Sequence, residues 1–235
     1  MKQTKSYPST WHFRGSPVAL DSLVGVAQEE IGDAKISIGD LPSGFAPHGI
    51  FASYIGEGTS RVRVSMPQNT PPGTYKGSAE VRGETYPVEI HVEPHIHLSL
   101  SPRQLIIDAY AGERRIEDLM IANSGNVACE VGTTHIFGLF DIHGAEHAIG
   151  AAFRQSGQSG EKLLQLIIEE SAKGYAGTVR VAVEGGAGSI APGAIRQLRL
   201  NLHLPPGLKV GHTYTGTLPL HNLRYYVKIR AGKKE

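Results

Sequence analysis

The 235-residue chain has one cysteine, Cys129, so no intrachain disulfide can staple it, and stability must come from packing and hydrogen bonding. Its neighbours Val127, Ala128 and Val131 mark the thiol as a core residue rather than a reactive one. Neither sign of charge dominates: Lys and Arg number 23 against 22 Asp and Glu. No global field therefore exists to hold a phosphate backbone or an anionic membrane surface, and nucleic acid is not an expected partner. No run approaches the ~18 apolar residues of a membrane-spanning helix. Aromatics make up 7% of the chain, with a single tryptophan, which is thin material for sugar-stacking platforms. The opening stretch Met1 to Pro8 is polar and leads to no apolar h-region, so a secretory signal is not expected; with Met1 as the native start, the protein is expected inside the cell.

Glycine and proline are plentiful, at 29 and 14. Both are penalised inside helices and wanted at turns between short strands, so the expected class is all-β. The strongest signal is an internal repeat. Residues 71–81 and 86–92 match residues 211–220 and 225–231: Tyr75 and Tyr214, Gly77 and Gly216, Tyr86 and Tyr225, Val88 and Val227, Ile90 and Ile229 are each 139 positions apart. Each copy reads as two strands around a tight turn, Arg82-Gly83-Glu84 or His221-Asn222-Leu223, with period-2 alternation in the second strand. Another alternating strand ending in proline precedes each hairpin: Val62, Val64, Met66, Pro67 in one copy, Leu198 to Leu204 and Pro205 in the other. Three matched elements in one order predict a duplicated domain. Tyr75 and Tyr214 are the candidates for a tyrosine corner, a buried ring whose hydroxyl reaches back to loop backbone.

The boundary is expected within Val92 to His95, giving one domain over 1–93 with an N-terminal tail, 1–16, and a second over 96–235. So short a link predicts a stiff joint. Residues 136–195 break the pattern and are read as extra strands or an elaborated loop; Leu163 to Ile168 fits a short helix or a buried strand equally, and Thr178 to Val183 reads as a strand.

The stretches Ile38 to Phe45, Arg61 to Pro67 and Pro71 to Gly77, with Leu98 to Pro102, Ala111 to Glu113 and Leu119 to Asn126 in the second copy, resemble the bacterial immunoglobulin-like domains of cell-envelope proteins and some glycosidases. The resemblance implies two tandem β-sandwiches, the second elaborated, and an envelope or periplasmic setting. Such sandwiches serve as spacers, adhesins and binding or assembly modules alike.

Several patterns bear on chemistry. His143-Gly144-Ala145-Glu146-His147 fits the H-x-x-E-H string of inverted zinc proteases, which needs a helix to aim both histidines at one ion. Gly144 and the preceding Phe137 to Ile142 predict strand and turn there instead. His91, Glu93, His95 and His97 alternate; neighbours in such a row lie about 6.6 Å apart on a strand, so His95 and His97 are the pair able to share a metal at the domain junction. Gly185 to Gly193 lacks a phosphate-loop spacing and reads as a hairpin loop. In the tail, Tyr7, Trp11 and Phe13 either pack as the first sandwich's opening strand or dock on a neighbouring subunit as an added strand. Of Tyr225 and Tyr226, period 2 turns one inward and one outward, and Tyr226 joins the candidates for partner contact. No catalytic set and no cofactor emerges. The expected role is a non-catalytic structural or accessory protein that binds protein partners through sandwich edges, loops and the tail, within a larger assembly or homo-oligomer. A carbohydrate-binding module and a zinc-dependent hydrolase centred on His143, Glu146 and His147 are the alternatives.

Overall fold

The computed structural model describes residues 10–32, 34–42, 44–56, 58–156 and 160–234. The chain is all-β and immunoglobulin-like, and it divides into two compact units: Met1–His97 with 124–128 and 191–193, and the remainder from Leu98 onward.

In unit 1 the elements are β1 (Trp11–Ser16), β2 (Ala19–Val24), α1 (Gln28–Ile31), β3 (Lys35–Ile38), β4 (Gly49–Gly56), β5 (Thr59–Ser65), β6 (Gly73–Val81) and β7 (Glu84–Val92). Alternation in β5 and β7 buries Val62 and Val64 in one strand and Val88, Ile90 and Val92 in the other. The strand order is β3-β6-β7-β1-β2-β5-β4. β1 runs parallel to β7 on one side and antiparallel to β2 on the other, with Phe13 opposite Ile90. One strand thus belongs to both halves of the sheet, which enclose Phe13, Leu20, Val64, Met66 and Ile90. Each such side chain stabilises by about 1.5–3 kcal/mol when taken from water.

Unit 2 contains β8 (Leu98–Ser101), β9 (Gln104–Ala109), β10 (Arg114–Asn123), β11 (Cys129–Val131), β12 (Thr134–Asp141), α2 (Gly144–Ser156), α3 (Gly160–Lys173), β13 (Tyr175–Gly185), β14 (Gly188–Ile190), β15 (Ile195–His203), β16 (Thr213–Leu220) and β17 (Leu223–Ala231). The main sheet reads β8-β10-β15-β13-β12-β16-β17-β9, with β11 and β14 paired separately. As in unit 1, the last strand takes a parallel partner from the start of the unit, β9 along β17. The core is aliphatic, built on Leu119, Ile121, Leu198, Leu200, Leu202, Leu218 and Ile229. Cys129 is buried with it, and desolvation pushes its thiol pKa up, which leaves it poorly nucleophilic.

The elaboration in residues 136–195 is helical rather than an extra strand or loop alone: α2 and α3 form an antiparallel pair inserted between β12 and β13. The strand and turn expected at residues 143–147 is corrected with it, because α2 starts at Gly144.

The two closing hairpins share one register. Tyr75 lies opposite Ile90 and Tyr214 opposite Ile229, Gly77 opposite Val88 and Gly216 opposite Val227. The turns hold two residues, since Glu84 already pairs with Val81 and Leu223 with Leu220; Arg82 and His221 take the left-handed backbone, φ 50° and 52°. The matched glycines have a steric reason. A Cβ at Gly77 would sit 2.0 Å from the Ser37 carbonyl oxygen, and one at Gly216 2.5 Å from that of Gly138. Each glycine lets its strand close against a neighbour, β3 or β12.

Gly77→Ala and Gly216→Ala are expected to cost about 1–3 kcal/mol each, the range for forced overpacking, in denaturant unfolding. Gly39→Ala, where an added Cβ meets nothing within 4 Å, is the control and is expected to change stability by under about 0.5 kcal/mol.

Candidate functional site

The residues singled out in the sequence fall into different settings. Trp11 and Phe13 are core residues, 3% and 1% exposed, with Trp11 stacked on Tyr86 at 5.3 Å between centroids. Partner docking through these two rings is therefore corrected: β1 is paired on both sides, and burial of large apolar rings against β7 outweighs leaving them in water. Tyr7 lies outside the described residues. Tyr226 is 45% exposed on β17, while Tyr225 points inward at 2%.

Tyr75 donates its hydroxyl proton to the Pro71 carbonyl at 2.8 Å, four residues upstream. The Tyr214 hydroxyl accepts the Lys209 N–H at 3.1 Å, five residues upstream. Both rings are buried, and both tie a loop to the start of the penultimate strand of their unit.

His95 and His97 stack with centroids 6.0 Å apart. Asn126 holds this segment within unit 1: its side chain accepts the His95 N–H at 2.6 Å and donates to the Glu93 carbonyl at 2.9 Å. His97 Nδ1 meets Ser124 Oγ at 2.8 Å. Among the described residues, no group of three His, Cys, Asp or Glu side chains is placed to hold a metal. In the H-x-x-E-H string, His143 precedes the helix and donates its backbone N–H to Asp141 Oδ1; Glu146 is exposed in the first turn, and the side chain of His147 lies outside the described residues.

Asp141 organises the foot of the helical pair. Its Oδ2 accepts from His212 Nδ1 at 2.6 Å, and its backbone N–H donates to the Gly174 carbonyl, joining the ends of β12 and α3. Burial works to raise the carboxyl's pKa, but the His212 and His143 hydrogen bonds outweigh it and hold the group below its ordinary value.

Two surfaces that the sequence did not single out stand out. The first belongs to the helical pair. Ala148 and Ala152, both buried, line the side of α2 that meets α3, and α3 answers with half-buried Leu163, Leu166 and Ile167. One position further along each line, a turn of about 100°, come Ile149 and Phe153 on α2 and Leu164 and Ile168 on α3. In an antiparallel pair the same sense of rotation carries both rows to the same side, so the hairpin presents a second apolar face. Leu164 is 65% and Ile168 70% exposed. The opposite side carries Arg154, Lys162, Gln165 and Glu169. The second surface lies on the sheet beside the hairpin's base, where exposed Phe140 and Tyr175 stand 5.1 Å apart over Gly138 and Tyr175 shares a 2.6 Å hydrogen bond with Thr178.

No family model matches the chain, and no curated protein matches it. Among solved structures, it is similar to a protein of unknown function from Porphyromonas gingivalis W83, at 13% identity, covering 96% of this chain and 98% of that one, TM-score 0.26. It is also similar to Dpr11 IG1 bound to DIP-gamma IG+IG2, at 10% identity over 97% and 98%, TM-score 0.30. The I9–I11 tandem of titin matches at 9% identity over 97% of this chain and 66% of that one, TM-score 0.24. At these values the immunoglobulin-like description rests on the strand order given above. No helix among the described residues is long and apolar enough to cross a membrane.

Asp141→Asn is expected to lower stability at pH 7 by about 1 kcal/mol, a charge-assisted bond discounted for the half-exposed histidine. Because the folded carboxyl is depressed, its contribution is present above the ordinary aspartate pKa of about 3.9 and drains away as pH falls below it. Denaturation curves of the variant and the parent should therefore converge in acid; a gap that stays constant from pH 7 down to pH 2 excludes this role.

Proposed function

We propose that this protein is a non-catalytic structural or accessory module that binds a protein partner, and that the helical hairpin of unit 2 is its principal docking element. The observation that carries the reading is the hairpin's outward apolar face. Leu164 and Ile168 stand at i, i+4 spacing on α3 and Ile149 is exposed on α2, on a hairpin already packed on its inner side. Exposed apolar rows on a small insertion cost solubility and add nothing to the parent sandwich, whose core is complete without them. A partner that supplies an apolar groove or another helix face would cover them as helix-in-groove complexes do.

The edge strand β4 supports the same role in unit 1. It ends the seven-stranded sheet and exposes Phe51, Tyr54 and Ile55. Such an edge is either protected or used to add a strand from another chain. The side chain of Gln28 reaches its backbone, its amide meeting the Ala52 carbonyl at 3.4 Å.

Leu164→Glu with Ile168→Glu tests the reading. Both positions are exposed, so unfolding free energy is expected to stay within about 0.5 kcal/mol of the parent. A species that co-purifies stoichiometrically with the parent from native cells, or self-association seen by light scattering, is expected to be lost in the double variant. Identical complexes from parent and variant, or no complex from either, contradicts it.

A further inference from the structure

On the outer face of unit 2's sheet, cross-strand register sets Arg114 of β10 opposite His203 of β15, and His203 opposite Arg180 of β13. Directly opposed residues project from the same face, with about 5 Å between adjacent strands, so the two arginines flank the histidine in one row about 10 Å across. Arg114 and Arg180 carry like charges on either side of His203, and their repulsion is relieved when a negative charge sits between them.

Among the described residues, the neighbouring carboxylates are occupied elsewhere or too distant. Glu113 accepts from the Tyr110 N–H and from Arg115, Glu117 also accepts from Arg115, and Glu184 accepts from Asn201. Asp118 lies opposite Arg199, four residues along β10 from Arg114, about 13 Å at strand rise. The corresponding strands of unit 1 show the ordinary solution: Arg63 of β5 makes a bidentate pair with Asp21 of β2, at 2.9 and 3.0 Å, which holds that carboxyl below its usual range.

The row also opens onto a cleft. Arg180 and His203 line a hollow of about 640 Å³ together with Tyr175, Thr178 and Pro205. Guanidinium forks match the geometry of tetrahedral oxyanions, each able to donate two hydrogen bonds, and a hydroxyl such as that of Thr178 adds a further donor. We propose that Arg114, His203 and Arg180 form a binding site for a phosphate or sulfate group, with the ring of Tyr175 and Pro205 forming the wall against which the rest of the ligand lies. The site is distinct from the helical hairpin's apolar face and stands or falls separately from it.

Calorimetric titration of the intact chain with inorganic phosphate, and separately with inorganic sulfate, at constant ionic strength set by chloride, tests the proposal. Saturable binding of at least one anion is expected, with a Kd on the order of 1 mM. The Arg114→Gln, Arg180→Gln double variant is expected to bind at least tenfold more weakly with an unchanged circular dichroism spectrum, because both side chains are exposed. Arg180→Lys keeps the charge without the fork and should fall between the two. Whichever anion binds more tightly identifies the ester that the ligand carries. No saturable binding of either anion up to about 50 mM, or affinity unchanged in the double variant, overturns the proposal.

Discussion

One close approach is shared by both units, that of the penultimate strand to its neighbour. In each unit a glycine two residues beyond a buried tyrosine allows backbone to pass where a Cβ would strike a carbonyl oxygen. The tyrosine fills the space before it and fastens the incoming loop through its hydroxyl. From that point the register of the final hairpin is determined, and with it the choice of which residues of β7 and β17 face the core. β1 and β9, near the start of their units, then add in parallel to those final strands, Phe13 beside Ile90 and Ile107 beside Ile229. The duplicated glycine-and-tyrosine device thus links the end of each unit to its beginning.

Against that shared frame the differences are informative. Among the described residues, unit 1 has no helix between β3 and β4, whereas unit 2 interposes α2 and α3 between β12 and β13. The insertion does not contribute to the aliphatic core of its unit, and its residues pack chiefly on one another. Where the two units make similar outer surfaces, the charges are handled differently: unit 1 pairs Arg63 with Asp21, and unit 2 sets Arg114 and Arg180 opposite His203. Function is expected where one unit departs from the other, because the parts they share are accounted for by packing.

Much of this was readable from the residues alone, and the rest was not for physical reasons. Strand alternation at Val62 and Val64, at Val88 to Val92 and at Leu198 to Leu204 survives in the fold because one face of each strand meets a core and the other meets water. The sequence misses α2 and leaves α3 open between short helix and buried strand, because the apolar residues come in doublets, 148/149, 152/153, 163/164 and 167/168. One member of each serves the helix interface and the other the outward face, which smears the helical period into a continuous run. Trp11 and Phe13 were ambiguous because an opening strand and a docking arm have the same composition; only pairing with β7 and β2 separates them. The cationic row was invisible in sequence, since Arg114, Arg180 and His203 meet solely through register across three strands.

Residue-resolved hydrogen exchange of the native protein tests the central claim most directly. If each unit is closed by its own tyrosine-led hairpin, the slowest-exchanging amides should form two sets, one in β6 and β7 around Tyr75 and Ile90, the other in β16 and β17 around Tyr214 and Ile229. Slowest exchange confined to one unit, or centred on α2 and α3 while the hairpins exchange freely, would contradict it.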